Sequence, residues 1–287
     1  GQQVGTLLEG ICAPEPIVLL MTNQQLNNII TFCTNKVNFA VFQAEPTFNL
    51  GPFSVTTTQY EHLLLLHRRS FQHPVMVGPM MIHQKKEQST YKVLVDYIFE
   101  RKPEFRNLCA LGTDGELALS NAFLQVCPDV KHLLCFNHFA NNIKHHLQSV
   151  GVDETNRRAI LADIFGQQVG TVLEEGIVDA DDHDEFDVRV SSLESVWIRR
   201  IGEKGKGLFD WFVKNKVQLL KNHLLKSVRI EAGLGNPPRR YVTNRVECVN
   251  SLLKREVNGK ESKVDEFVAT MQDMIERQNR NISWAIT

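Results

Sequence analysis

Little in this chain commits it to a specialised environment. It carries almost no net charge, −1 at pH 7, so global electrostatic attraction to nucleic acid is excluded. Any polyanion site must come from local patches such as Arg199-Arg200 with Lys204 and Lys206, Arg239-Arg240 with Arg245, or Lys254-Arg255. Each of these taken alone reads equally well as a solvated helix face. Long hydrophobic runs are missing too: Ile17 to Met21 and Leu63 to Leu66 fall far short of the roughly 20 residues of a membrane span, so no membrane partner is expected. No basic-apolar segment opens the chain, which leaves secretion without support. The six cysteines form no CxxC pair and no tight framework, which fits reduced thiols in the cytosol or nucleus. The rest is ordinary for a globular protein, 43% apolar and 23% charged. At 287 residues there is room for a core domain and a large insertion.

The residue pattern predicts an α/β protein. Leu26 to Cys33 has helical spacing, and Asn38 to Phe48 alternates as a strand carrying Glu45. Gly51-Pro52 turns the chain into the β-branched run Phe53 to Thr58. Pro74 to Ile82 follows as a third strand and Glu87 to Glu100 as a helix. The stretch from Arg106 to Leu147 then reads strand, acidic turn, helix, strand, polar helix. It sets Asp114 and the pair Cys135/His138 at carboxyl ends of strands, where ligands bind in open α/β sheets. Beyond Asp153 the periodicity is mainly helical, interrupted by an acidic loop at Asp179 to Asp187 and by a break at Gly233 to Pro238. The expected division is an irregular segment at 1–18, a first part of the core at 19–152, a helical insertion at 153–240, and closing helices at 241–287 that complete the core. GQQVGTLLEG at 1–10 nearly recurs as GQQVGTVLEEG at 166–176, one repeat and far too little for a solenoid.

Three acids stand where this order would let them meet: Glu45 on the first strand of the core, Asp114 after the fourth, and Glu247 on a helix opened by Thr243 or Asn244. On that helix Glu247 and Asn250 share a face, with Lys254 one turn on. Carboxylates converging at strand ends are hard oxygen ligands of the kind Mg²⁺ takes. A CxxH pair, Cys135 and His138, would supply only two of four zinc ligands, and with no matching second pair zinc is not expected. The acidic loop lacks the glycine and terminal glutamate of an EF-hand and reads as solvated.

The motifs AEPTFNLG, GTDGE, Cys135-Phe136-Asn137-His138 and TNxxExxN occur in that order, with Asn141-Asn142-Ile143 and Phe209-Asp210-Trp211-Phe212 between them. Together they resemble the catalytic domain of Mutator-like (MULE) transposases, over about Leu19 to the last residue. The resemblance implies an RNase H-like fold: a mixed sheet of three antiparallel strands plus two parallel ones, flanking helices and a large helical insertion. It implies a DDE/D triad at Glu45, Asp114 and Glu247, with Glu194 as runner-up for the third acid, and two Mg²⁺ (or Mn²⁺) ions held by these acids. Cys135, His138, Asn244 and Asn250 carry the family pattern. Arg239, Arg240, Arg245 and Lys254 are the expected phosphate contacts. The implied activity is cleavage and strand transfer at transposon ends, on terminal-repeat and target DNA in the nucleus, by a possible homodimer. One departure bears on this. The family's first acid is an aspartate, and Glu45 adds one methylene, displacing the carboxylate by roughly an ångström, which can cost about a hundredfold in rate. A catalytically inactive, domesticated DNA- or protein-binding module is therefore the alternative expectation.

Overall fold

The computed structural model describes residues 6–11, 16–256 and 263–286. In chain order the elements are β1 Thr6–Ile11, β2 Ile17–Thr22, α1 Asn23–Cys33, β3 Phe42–Leu50, β4 Phe53–Glu61, β5 Val75–His83 and α2 Gln88–Arg101. There follow β6 Ala110–Thr113, α3 Leu117–Val126, β7 Lys131–Leu134, α4 Phe136–Ser149, α5 Glu154–Phe165, β8 Gln167–Val169 and β9 Val172–Glu174. The remainder is α6 His183–Ile201, α7 Lys204–Phe212, α8 Gln218–His223, α9 Lys226–Glu231, α10 Asn244–Glu256 and α11 Val264–Ile286. The chain forms two compact units, one from residues 1–130 with 243–287 and one from Lys131–Val242.

The first unit is an α/β layer structure on a mixed open sheet, ordered β1-β2-β5-β4-β3-β6. β1, β2, β5, β4 and β3 are antiparallel, and β6 runs parallel to β3. The antiparallel part thus has five strands where three were expected, and the segment 1–18 is not irregular throughout. Ile17–Thr22 is a short apolar run without alternation, as a strand buried on both faces is. Thr6–Ile11 pairs along its whole length with that run, from Thr6↔Thr22 to Ile11↔Ile17. The related letters TVLE at 171–174 also include strand, in the β8-β9 hairpin that turns at Gly170 with φ 61°.

Local chemistry explains the main boundaries. Thr22 opens α1 through a reciprocal capping box: its hydroxyl accepts from the Gln25 amide N–H at 3.1 Å, and the Gln25 side chain accepts from the Thr22 N–H at 2.8 Å. Gly51, at φ 59°, makes the β3–β4 turn. Pro46 has no N–H to give the ladder, and the register slips between Pro46 and Phe48, directly after Glu45. A second slip lies across from it, between Thr57 and Gln59 of β4. One sheet face packs Leu19, Met21, Phe42, Tyr60 and Leu111 against α1, α2 and α3; the other packs Leu20, Val55, Val77 and Met80 against Leu253 of α10 and Phe267, Met271 and Ile275 of α11.

The second unit is mainly helical around Phe165, Phe186, Trp197 and Phe212. The helical periodicity expected beyond Asp153 is interrupted between Leu208 and Ile230: a π-turn at Val213–Val217 joins α7 to α8, and α9 is separate. The acidic loop is likewise shorter than expected and is tied down. Asp182 caps α6 by accepting from the Glu185 N–H, Asp179 pairs with buried Arg229 at 2.7 Å, and Asp187 pairs with Lys221 at 2.7 Å. These acids are used as caps and ion pairs because α6 starts at His183, inside the run.

Gly205 brings α7 onto α6: a Cβ there would lie 2.5 Å from the Trp197 carbonyl oxygen, whereas one at Gly207 would meet nothing within 4 Å. Gly205→Ala should therefore lower the urea midpoint by the equivalent of about 2 kcal/mol through backbone overlap. Gly207→Ala should leave it unchanged or raise it by up to about 1 kcal/mol through helix propensity. Equal behaviour of the two variants in urea unfolding followed by circular dichroism would contradict this packing.

Candidate active site

Backbone register brings the first two acids together. Phe42 pairs with Leu111 and Gln43 with Gly112 in the parallel β3–β6 ladder, and two further residues along each strand set Glu45 beside Asp114. Residues opposite one another in a parallel pair share a face. Leu111 lies in the core under α1–α3, so by alternation Asp114 and Glu45 belong to the opposite face, the one α10 covers. Glu247 stands in the first turn of α10, where Thr243 offers its hydroxyl to the Glu247 carboxylate at 3.5 Å.

Glu45 is buried, 7% exposed, and its neighbours define the site. Asn250 of α10 donates its amide N–H to the Glu45 carboxylate. The same Asn250 accepts at its Oδ1 from Gln59 Nε2 at 3.0 Å and from the Thr57 hydroxyl at 3.4 Å. These two donors from β4 settle which way the carboxamide faces. With the Thr57 proton on Asn250, Thr47 donates its hydroxyl to Thr57 at 2.7 Å, beside the Glu45 carbonyl oxygen at 3.2 Å. β4 therefore carries a buried polar run, Thr56, Thr57, Thr58 and Gln59. A polar group is buried cheaply only when hydrogen-bonded. Thr56 meets His83 at 2.8 Å and Thr58 donates to the Pro79 carbonyl at 2.7 Å.

Electrostatics report the convergence. Burial and then the charges of Asp114 and Glu247 push the Glu45 carboxyl up from 4.5 to about 7, against a lowering pull from Lys254. Buried Tyr91 on α2 senses the same cluster: burial, then Glu116 and Asp114, hold its phenol above the usual range. Asp114 accepts from the Glu116 N–H at 3.3 Å, which fixes the turn that presents it.

The other predicted residues fall in different places. Glu194 lies on α6 in the second unit and pairs with Lys206 at 2.8 Å; Glu247, not Glu194, is among the charges that act on Glu45. Arg240 donates to the Phe165 carbonyl and lies over the Phe136 ring at 5.4 Å, so its guanidinium braces the second unit. Arg239 and Lys254 are exposed, and the side chain of Arg245 lies outside the described residues. Cys135 is a buried cysteine at the N-cap position of α4, His138 is half-buried on the first turn of that helix, and Asn244 begins α10. Thr57 and Gln59 were not foreseen as part of the site. Four consecutive polar residues in a strand flanked by apolar ones were the signal, masked by their high β-propensity.

The donor set fits a hard divalent cation. It consists of carboxylate oxygens alone, and the repulsion that raises the proton affinity of Glu45 would also be relieved by a bound cation. Among the described residues no three His, Cys, Asp or Glu side chains are gathered closely enough to hold an ion as they stand. No helix among them is long and apolar enough to cross a membrane. The fold and site together define an α/β protein with a mixed open sheet and a coupled acid cluster under a C-terminal helix. Compared with protein-family models and with curated proteins, the chain matches none.

A carboxyl raised by the fold costs stability as it ionises. The protonated fold keeps its full stability below about pH 4.5 and loses it as pH rises through about 7. Glu45→Gln keeps an acceptor for Asn250 and removes the charge. In metal-free buffer it should gain on the order of 3 kcal/mol over the parent at pH 8 and match it near pH 4. A variant less stable than the parent at pH 8 in denaturant titrations would mean the ionised carboxylate is already compensated.

Proposed function

We infer that this chain is an RNase H-like polynucleotidyl transferase of the Mutator-like transposase kind, cutting and joining DNA strands at transposon ends in the nucleus. The observation that carries this reading is the coupling of Glu45 to both Asp114 and Glu247 on one face of the sheet. Two acids at adjacent parallel strands and a third on a covering helix offer hard oxygens of the sort two Mg²⁺ or Mn²⁺ ions would use, once the three are drawn together, to neutralise charge on a phosphodiester undergoing in-line displacement.

The chain's own residues have distinct parts in this reading. Asp114 and Glu45 offer the oxygens on the sheet, and Glu247 adds the third from α10. Asn250 is a positioning residue: tied to β4 through Gln59, it aims the longer Glu45 side chain. Lys254 offsets part of the negative charge and is placed to meet a phosphate beside the acids.

One observation favours the alternative of a non-catalytic DNA- or protein-binding descendant. A carboxyl titrating at about 7 is close to half protonated at neutral pH, and it accepts a hydrogen bond from Asn250. Both compete with a cation for the same oxygens.

Strand cleavage of a labelled terminal-repeat duplex with Mg²⁺ or Mn²⁺ separates the two. The catalytic reading expects slow cutting by the parent chain, about tenfold to a hundredfold faster cutting by Glu45→Asp, and none by Asp114→Asn. No cleavage by the parent or Glu45→Asp, or unchanged cleavage by Asp114→Asn, would leave the binding role. Preference for an RNA–DNA hybrid over the repeat duplex would point to a plain nuclease.

A further inference from the structure

The connection between β4 and β5, residues 62–74, takes no part in the acid cluster, yet hydrogen bonds close it at both base and tip. Its base is closed by the His62 N–H donating to the Pro74 carbonyl at 3.0 Å, and His73 Nδ1 lies 2.8 Å from the Leu65 carbonyl. Its tip is closed by the His67 N–H donating to the Gln72 carbonyl and the Phe71 N–H donating to the His67 carbonyl, both at 2.8 Å. The four residues inside this closure are Arg68, Arg69, Ser70 and Phe71, and all are exposed. Neither arginine has a carboxylate partner among the described residues. Phe71 is 77% exposed and has φ 54°, the one described non-glycine residue with a left-handed backbone. A bulky aromatic there is an outlier that folding stability does not explain, since it buries little and strains the chain.

Beside the tip the loop borders a cleft of about 650 Å³ against α11. Its lining includes the guanidinium-bearing Arg68 and Arg277 together with the apolar Met76 and Met274. The guanidinium groups of Arg68 and Arg69, an aromatic face open to solvent and an adjoining cleft with apolar lining match a polyanion with planar, stackable groups. A purely acidic peptide would use the arginines and leave Phe71 and the apolar lining without a counterpart.

We propose that the 62–74 loop and the cleft beside α11 bind a single-stranded stretch of DNA, with Arg68 and Arg69 on phosphates, Phe71 stacked on a base, and the next base over Met76 and Met274. The inference rests on the reading of this chain as a DNA-acting protein and names where an unpaired strand lies on it. The two closing hydrogen bonds at the tip keep the arginines and the ring together before the strand arrives, so little ordering is needed on binding.

The test is fluorescence anisotropy of the full chain with a labelled oligothymidylate of about 20 nucleotides, with phosphatidylserine vesicles as a separate arm. Phe71→Asn tolerates the left-handed backbone and removes the ring; it should bind about tenfold more weakly with an unchanged salt dependence and an undiminished thermal midpoint. Arg68→Gln/Arg69→Gln should flatten the slope of log affinity against log salt by roughly 1 to 1.5, the signature of two lost phosphate contacts. Parent-like binding by both variants overturns this inference while leaving the DNA reading intact. A parent chain that binds a terminal-repeat duplex but no oligothymidylate overturns this inference alone, and one that binds neither overturns both. Phe71-dependent binding to vesicles without binding to oligonucleotide overturns it in favour of a membrane surface.

Discussion

A carboxylate buried between a sheet and a helix is the constraint around which the first unit is arranged. Glu45 lies under α10 with two other acids acting on it, and an isolated charge in such a place would be expelled or neutralised. The surrounding structure supplies what is needed to keep it. Pro46 and the paired register slips bend β3 and β4 beside it, Thr57 and Gln59 point polar groups inward, and Asn250 reaches down from α10 to join them to the carboxylate. Without Asn250, Thr57 and Gln59 lose the acceptor they share.

The division of labour between the two units follows from the same economy. The first holds its site on the face covered by α10 and α11, whose apolar residues Leu253, Phe267, Met271 and Ile275 complete a core on that same face. The second is organised around Trp197, whose indole N–H donates to Asp163 at 2.9 Å, and around the ion pair of buried Arg229 with Asp179. Its many acids are bound to its own bases, so they belong to its scaffold.

Much of this was legible in the residues. Asp114 could be placed at a strand end from an apolar run followed by a Gly-Thr-Asp-Gly turn, and the closing helices from their spacing. What resisted reading was whatever depends on partners far along the chain. Nothing local in Thr6–Ile11 declares a strand until Ile17–Thr22 lies beside it. Thr56 to Gln59 reads as β-propensity until Asn250, 191 residues from Gln59, supplies the acceptor. The acidic run 179–187 is largely exposed, as a solvated loop is, but the bases that pair with it, Lys221, Lys226 and Arg229, come only after two helices and a π-turn. The broken helix after Leu208 kept its amphipathic spacing through the π-turn, so periodicity alone did not mark the interruption.

The claim on which the rest depends is that Glu45, Asp114 and Glu247 behave as one coupled cluster. The direct measurement is a ¹³C NMR titration of the Glu45 carboxyl, assigned by substitution, in the parent chain and in Asp114→Asn without divalent ions. A midpoint near 7 in the parent, falling when the Asp114 charge is removed, is the predicted result. A midpoint at the ordinary 4.5 in the parent, or one unmoved by Asp114→Asn, would contradict it.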